Sequence, residues 1–348
     1  MNSIERVVKC LNHEEPDYVP VYPLINSISR NYLGINYAEW TQDWEKCAEC
    51  IVKATDDLGV DVICTLVDLS VEAADWGMEM KYPKDKAAGP TRAKFISSIE
   101  DYEKVTVINP RETPRMSDMI KMTKRLVEER GQEKPVVAFV FGPLGILSMM
   151  RGLSDLMMDM FDPEGKKAIF KAMDNITATL EEYCDALIET GCHAIMFDTL
   201  YSSKTIMSPA MWEEFEGPWQ QRLAERVHDK NCMVMIHNCG EGIYVKNQID
   251  RMHPEAMSLL YLADDCSTME EMKEKYGDQT TFIGMVDPGA LMTCTEEELR
   301  AECRKEIDAL GKNGGFILAT GCEYPAPMDN KWAEVMIEEA RTYGRYDK

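Results

Sequence analysis

Apolar residues along this chain come in short, nearly continuous runs separated by longer stretches of helical period. Eight such runs recur: YVPVYP (18–23), VDVICTL (60–66), PVVAFVF (135–141), HAIMFD (193–198), CMVMIH (232–237), AMSLLYL (256–262), TFIGMV (281–286) and GFILAT (315–320). Runs that are continuous rather than alternating mark strands covered on both faces, as in a parallel sheet. The segments between them read as helices with identifiable ends. One covers 44–58 and stops at Gly59, a second covers 117–130 before Gly131, and a long one covers 163–190 before Gly191. The long helix opens with Asp162 at its N-cap and Pro163 in its first turn. Ser208 and Pro209 open another, and Ser267 with Glu270 and Thr295 with Glu298 make two capping-box patterns.

Eight strands alternating with helices predict a (β/α)8 barrel, an α/β fold. A doubly wound open sheet is the other architecture this alternation allows. No low-complexity stretch, short repeat or linker interrupts the chain, so one domain is expected over residues 1–348. Residues 1–17 read as an N-terminal helical extension packed on the outside of the barrel. Residues 78–115, rich in Pro, Lys and Asp, read as an insertion after the second strand.

Composition sharpens this picture. The 348 residues are 45% hydrophobic, enough for a full core, and carry a formal net charge of −23. Duplex binding requires clustered Lys and Arg that displace counterions, so a nucleic-acid surface is disfavoured, as is an anionic membrane. The longest apolar stretches, such as VVAFVF at 136–141, fall far short of the roughly 18 residues a membrane span needs. The start, MNSIERVVKCLNHEE, is amphipathic with no long apolar segment, so a cytoplasmic protein is expected. The twelve cysteines then read as reduced thiols. Cys10, Cys64, Cys184 and Cys303 lie in periodic segments and read as core filler. Cys47 and Cys50 form a C-x-x-C within a helical segment with no second pair at zinc-ribbon distance, and packing is the expected role there too.

Reactive side chains gather just beyond the runs. Asp68 follows the second run. Asp198 closes the fourth and is followed by Thr199, Leu200 and Tyr201. His237 and then Cys239 end the fifth, Asp287-Pro288 follows the seventh, and Gly321-Cys322-Glu323 follows the eighth. In a barrel this face is where active sites are built. Residues i and i+2 of an extended chain project to the same side, so His237 and Cys239 converge if the backbone stays extended through Asn238. Imidazole and thiolate are zinc donors, and Cys322 on the same face supplies a third. Three protein ligands leave one tetrahedral position open, the pattern of a catalytic zinc. Soft thiolates also suit a metal that must take a sulfur nucleophile. The competing reading is a strand-end histidine bonded to a neighbouring carbonyl, beside unrelated buried cysteines. Asp68 and Asp287 read equally as caps of the helices that follow them. Asp198, at the end of a buried strand, reads as a residue beside the ligands or the substrate.

These pieces carry a resemblance. ERVVKCLNHEEPDYVPVYP (5–23), LGVDVICTLVDLSVEAADWG (58–77), FGPLGILSMMRGL (141–153), GCHAIMFD (191–198), SPAMWEEFEGPW (208–219), IHNCG (236–240), GMVDP (284–288) and ATGCEYPAP (319–327) together resemble the uroporphyrinogen decarboxylase superfamily. Within it the chain resembles the zinc-dependent, cobalamin-linked methyltransferases more than the decarboxylases. The resemblance implies a (β/α)8 barrel and zinc held by His237, Cys239 and Cys322. It implies a corrinoid as methyl carrier, brought by a corrinoid protein as partner, and a small-molecule methyl donor or acceptor. Asp198, Asp68 and Glu323 become candidates for positioning or proton handling, and Tyr201, Tyr324 and Asp287 for lining the mouth that meets the cofactor. A homodimer is implied by the family alone. The decarboxylases carry an Arg-rich motif after the first strand, where this chain reads PLINSISRNYLG (23–34) with Arg30 as the only cation. They resemble Gly-His where this chain has Gly321-Cys322, and Phe-Asp-Ser-Trp where it has Phe197-Asp198-Thr199-Leu200. A chain this acidic would bind a polyanionic tetrapyrrole against repulsion. Tetrapyrrole decarboxylation and a non-catalytic corrinoid-docking module are the alternatives to methyl transfer.

Overall fold

The structure, a computed structural model, describes residues 1–325, 328 and 330–347. The first apolar run, 18–23, forms no strand ladder, and its prolines give the reason. Pro20 and Pro23 have no N–H to donate, so pairing cannot propagate through them. What remains is two isolated bridges, a parallel one between Val21 and Leu318 and an antiparallel one between Tyr18 and Arg345. Tyr22 N donates to Leu318 O at 2.8 Å, and Leu318 N donates to Pro20 O at 2.9 Å. On the other side, the Val21 carbonyl accepts from the Asp61 amide at 2.9 Å.

The second run shrinks to β1 (Ile63–Cys64). In the segment after it, β2 (Met80–Lys81) and β3 (Gly89–Pro90) pair as a small antiparallel hairpin. The remaining runs fold close to their predicted bounds: β4 (Val136–Phe141), β5 (Ala194–Asp198), β6 (Met233–Asn238), β7 (Ala256–Leu259), β8 (Thr281–Val286) and β9 (Phe316–Thr320). β1 and β4 to β9 make one curled sheet of seven strands in the order β1-β4-β5-β6-β7-β8-β9, and every neighbouring pair is parallel. The fold is therefore α/β. Seven strands are laddered where eight were expected, and 18–23 is the shortfall.

Strand alternation sorts the core into two clusters. Val137, Phe139, Ala194, Met196, Met235, Ile317 and Ala319 pack on the concave face. Val136, Ala138, Val140, Ile195, Phe197, Val234 and Ile236 pack against the helices. The first helix, Ser3–Leu11, is fixed by an Asn2–Glu5 capping box. It does not lie on the outside as expected. Val7 and Cys10 join the concave cluster, and the Cys10 thiol donates to Phe316 O at 3.1 Å.

The other helices mostly follow their caps. Trp44–Leu58 ends on Gly59, whose φ of 71° is the left-handed turn that favours glycine. Pro163–Ile188 starts at the Asp162 cap, and Pro114–Arg130 begins on a proline ahead of the expected start. The Thr295–Glu298 capping box forms as read. The box expected at Ser267 moves one residue on. Thr268 is the cap and accepts from Glu271 N, while the Glu271 carboxylate takes the Ser267 amide at 2.7 Å. Cys47 and Cys50 are buried in the core. No helix among the described residues is long and apolar enough to cross a membrane.

Candidate metal centre

The alternation that sorts the apolar core continues to the strand ends. On β5, Asp198 follows Ala194 and Met196 on the concave face, and on β6, His237 follows Met235. The register sets Asp198 beside His237, and His237 beside Ser258 of β7. A row of three polar side chains therefore crosses the sheet where the apolar stack ends. Phe139, one layer below, has its ring centroid 6.5 Å from that of His237.

Two cysteines meet this row. Asn238 is fully buried and fixes the chain that leads to Cys239: its Nδ2 donates to Thr199 O at 2.6 Å, and its Oδ1 accepts from Gly240 N at 2.9 Å. Cys322 arrives from β9. Gly321 N donates to Val286 O at 2.9 Å, and a Cβ at position 321 would stand 2.5 Å from Leu260 Cα. Only glycine permits that approach, and it brings Cys322 to the site. One donor atom each from His237, Cys239 and Cys322 then lies within 4.8 Å of the others.

This set fits zinc. Zn–S and Zn–N bonds of roughly 2.3 and 2.0 Å place tetrahedral donors about 3.5–4 Å apart. The spread seen here closes onto one ion with small side-chain adjustments. His237 Nδ1 lies 3.0 Å from Ser258 Oγ, which commits that nitrogen and leaves Nε2 for a metal.

The electrostatics agree with a cation site. The hydrogen bond from Cys239, reinforced by His237, pulls the Cys322 thiol far below its ordinary range, against the effect of burial. Cys239, the donor in that pair, is pushed up. Burial works against the charged His237 ring, but its bond to Cys322 and the nearby Asp198 outweigh burial and raise its pKa. Burial pushes Asp198 up to about 6, opposed by His237 and the Leu200 amide. Glu323 is held by the Ser27 amide at 3.0 Å, and burial pushes it up to about 7.

The other residues singled out in the sequence sit in different surroundings. Asp68 is buried, with Oδ2 taken by Arg115 Nη2 at 2.9 Å and by the Thr41 hydroxyl, and Oδ1 by the Ser70 amide at 2.7 Å. It does not belong to the donor group. Asp287 is exposed and accepts from Gly289 N at 2.7 Å, capping Pro288–Leu291. The Tyr201 hydroxyl bonds Ser148 Oγ at 2.8 Å. Tyr324 is buried in the main apolar cluster, and its amide donates to Leu24 O at 3.0 Å.

Sequence reading missed three residues near these strand ends. Ser258 orients His237. Glu72 is buried, takes the Phe141 amide at 3.1 Å, and is pushed up to about 8 by burial. Glu216 is buried at a helix junction. Glu72 and Glu216 lie inside the stretches 58–77 and 208–219, but nothing in their spacing marks a buried acid.

Comparison with known proteins finds relatives along the same length. The family model described as uroporphyrinogen decarboxylase (URO-D) matches residues 2–343. The methylcobamide:CoM methyltransferase MtbA of Methanosarcina mazei is 22% identical over 344 residues, 97% of this chain and 97% of that protein. A uroporphyrinogen decarboxylase of Sulfurovum sp. is 24% identical over 324 residues, 90% of this chain and 88% of that protein. A solved methyltransferase from Methanosarcina mazei superposes with a TM-score of 0.82 at 21% identity, covering 99% of each chain. A B12-independent methionine synthase from Shewanella sp. W3-18-1 superposes with a TM-score of 0.53 at 12% identity, covering 86% of each. At these identities the superpositions speak for the fold.

Proposed function

The chain belongs to the uroporphyrinogen decarboxylase (URO-D) family, and from that premise we propose that it is a zinc-dependent enzyme. It moves a methyl group between a corrinoid and a thiol or a methylated small molecule. In this reading the seven strands and the Val21 bridge make a (β/α)8 barrel in one domain, with the site at the C-terminal rim. The observation that carries the proposal is the convergence of one nitrogen and two sulfurs within 4.8 Å.

His237, Cys239 and Cys322 would hold zinc and leave a fourth position for substrate. Zinc bound there supplies Lewis acidity, which lowers the pKa of a substrate thiol or polarises a methyl donor. The rest is done by the chain. Ser258 fixes the tautomer and ring plane of His237. Asp198, titrating at about 6, is ionised near neutrality and accepts the proton of an arriving thiol. Glu323, at about 7, stands beside Cys322 as a second proton acceptor. Tyr201 and Asp287 belong to the loops over which a corrinoid-carrying partner protein would dock. A corrinoid methyl carrier accords with the methylcobamide substrate in the name of the Methanosarcina mazei relative.

The family name and the Sulfurovum relative favour a second reading, tetrapyrrole decarboxylation. Against it, Arg30 Nη1 donates to the Ser27 carbonyl at 2.7 Å, and no other cation lies in residues 23–34. One set of assays separates the readings: bound metal, demethylation of methylcobalamin by thiols, and carbon dioxide release from uroporphyrinogen. The proposal expects about one zinc per chain and methyl transfer. A metal-free chain that releases carbon dioxide overturns it. Zinc with tight corrinoid-protein binding and no turnover would instead indicate a docking module.

A further inference from the structure

The end of β5 is supported by a group of polar side chains sealed from solvent. Glu216 joins the helices Pro209–Phe215 and Gly217–Asp229, with φ −138° and ψ −45°, and is 0% exposed. The Gly142 amide donates to the Asp198 carbonyl at 3.0 Å. A Cβ built at 142 would stand 2.5 Å from that carbonyl oxygen and 3.4 Å from Glu216 Oε1. The Glu216 carboxyl therefore lies against the same turn of chain that ends in Asp198.

No cation faces it among the described residues, and the donors around it are neutral side chains, Ser202, Gln220 and Trp212. Ser202 Oγ reaches Oε2 at 3.4 Å, and Oε1 has no partner. The Gln220 side chain and the Trp212 indole face the carboxyl only as loose neighbours, with no close hydrogen bond of their own, and both residues are at most 1% exposed. The titratable groups facing Glu216 are Asp198 and Tyr201, both acids. No ion pair to Glu216 occurs among the described residues.

A carboxylate only accepts hydrogen bonds, whereas a carboxylic acid also donates one. A neutral Glu216 supplies the donor that Gln220 Oε1 lacks and still accepts from Trp212 or the Gln220 amide. An unpaired buried anion would carry its full desolvation cost. Burial, with Asp198 adding to it, pushes Glu216 up to about 8 against the hydrogen bonds of Gln220, Ser202 and Trp212, which favour the charged form.

We propose that Glu216 is a neutral carboxylic acid at physiological pH and a positioning residue, tying Gln220 and Trp212 to the end of β5 and so holding Asp198 at the metal centre. The positioning role rests on the proposed methyl transfer, while the charge state does not. In the unfolded chain Glu216 ionises near 4.5, and in the folded chain near 8. Its contribution to stability is complete below about 4.5 and is lost as the pH rises toward about 8. Glutamine keeps the shape and a donor and does not titrate.

The test uses the purified full chain. Infrared spectra at neutral pH should show a protonated-carboxyl stretch that Glu216→Gln weakens. Glu72→Gln should remove a separate share, and so should Glu306→Gln, since Glu306 is also fully buried and pushed up by burial. In denaturant titrations, the Glu216→Gln midpoint should rise relative to wild type between about pH 5 and about pH 8, then level off. Glu216→Ala should lose methyl transfer and Glu216→Gln should recover it. If Glu216→Ala does not fold, the Gln midpoints and spectra decide alone. An unchanged infrared band together with a pH-independent midpoint gap overturns the inference. The expected band and midpoints in a chain that transfers no methyl would uphold the charge state and reject the reaction.

Discussion

The C-terminal end of β6 leads to His237 and Cys239, and that of β9 leads to Cys322. The N-terminal ends of β5 and β6 present Cys192, His193 and Cys232, a matching inventory of one imidazole and two thiols. Only the first set forms a donor group among the described residues. At the lower end, the His193 ring is spent on the main chain. Its Nδ1 accepts from the Val136 amide at 3.0 Å, Gly131 engages the ring as well, and burial lowers its pKa. Cys232 Sγ lies 4.0 Å from the Cys192 carbonyl, and the two thiols hydrogen-bond to each other. At the upper end, His237 gives one nitrogen to a side chain, Ser258, and turns the other toward Cys322. The carboxylates differ in the same way. Asp61, near the lower end, is met by Arg6 at 2.8 Å, Ser3 at 2.7 Å and the Val21 amide at 3.0 Å. Among the described residues, Asp198 has no cation other than His237 facing it. Residue types alone do not make a metal centre. Both thiol pairs bond internally, so the difference lies in the imidazole, which the backbone has already claimed at the lower end.

The largest expected effect separates the two ends directly. Cys239→Ser or Cys322→Ser should drop bound zinc from about one per chain to near zero and methyl transfer by about a thousandfold or more. Cys192→Ser and Cys232→Ser should leave both intact. Metal analysis of the four variants decides it, and zinc lost from Cys232→Ser would erase the distinction.

A smaller effect should appear with the opposite polarity. Arg6→Ala strands Asp61, whose side chain is 1% exposed, and should cost about 3–5 kcal/mol in urea unfolding while zinc content holds. If zinc fell along with stability, the ends would be coupled. The finest effect is expected at Ser258. Ser258→Ala should weaken zinc roughly 10–100-fold in chelator competition, because the imidazole loses the partner that orients it. An unchanged affinity would mean that packing alone orients the ring.

The strands were legible because runs buried on both faces need no context to be recognised. The exception, 18–23, was equally apolar, and Pro20 and Pro23 in its midst carried the warning. The three candidate metal donors were legible from their position, two residues apart at the end of one strand and just past another. Ser258 was not legible, since its role depends on the register of β7 against β6, which no local pattern specifies. Glu216 was hidden for a different reason. It sits among WEEFEGPW, where neighbouring glutamates are ordinary surface residues and only three-dimensional packing singles one out. Asp68 read either as a helix cap or as a candidate for positioning or proton handling, and its ion pair with Arg115 was not legible because the two are distant in sequence.

Gly321 contributes no donor, yet it leaves the chain almost no tolerance at that point. The atoms opposite it are Leu260 Cα and the Leu259 carbonyl oxygen, main-chain atoms that cannot swing aside as a side chain would. Even an alanine there must displace the loop bearing Cys322. A mutational screen for lost zinc would therefore recover position 321 alongside the ligands themselves, and descendants of this gene could explore new chemistry at the rim only by routes that leave that hydrogen atom in place.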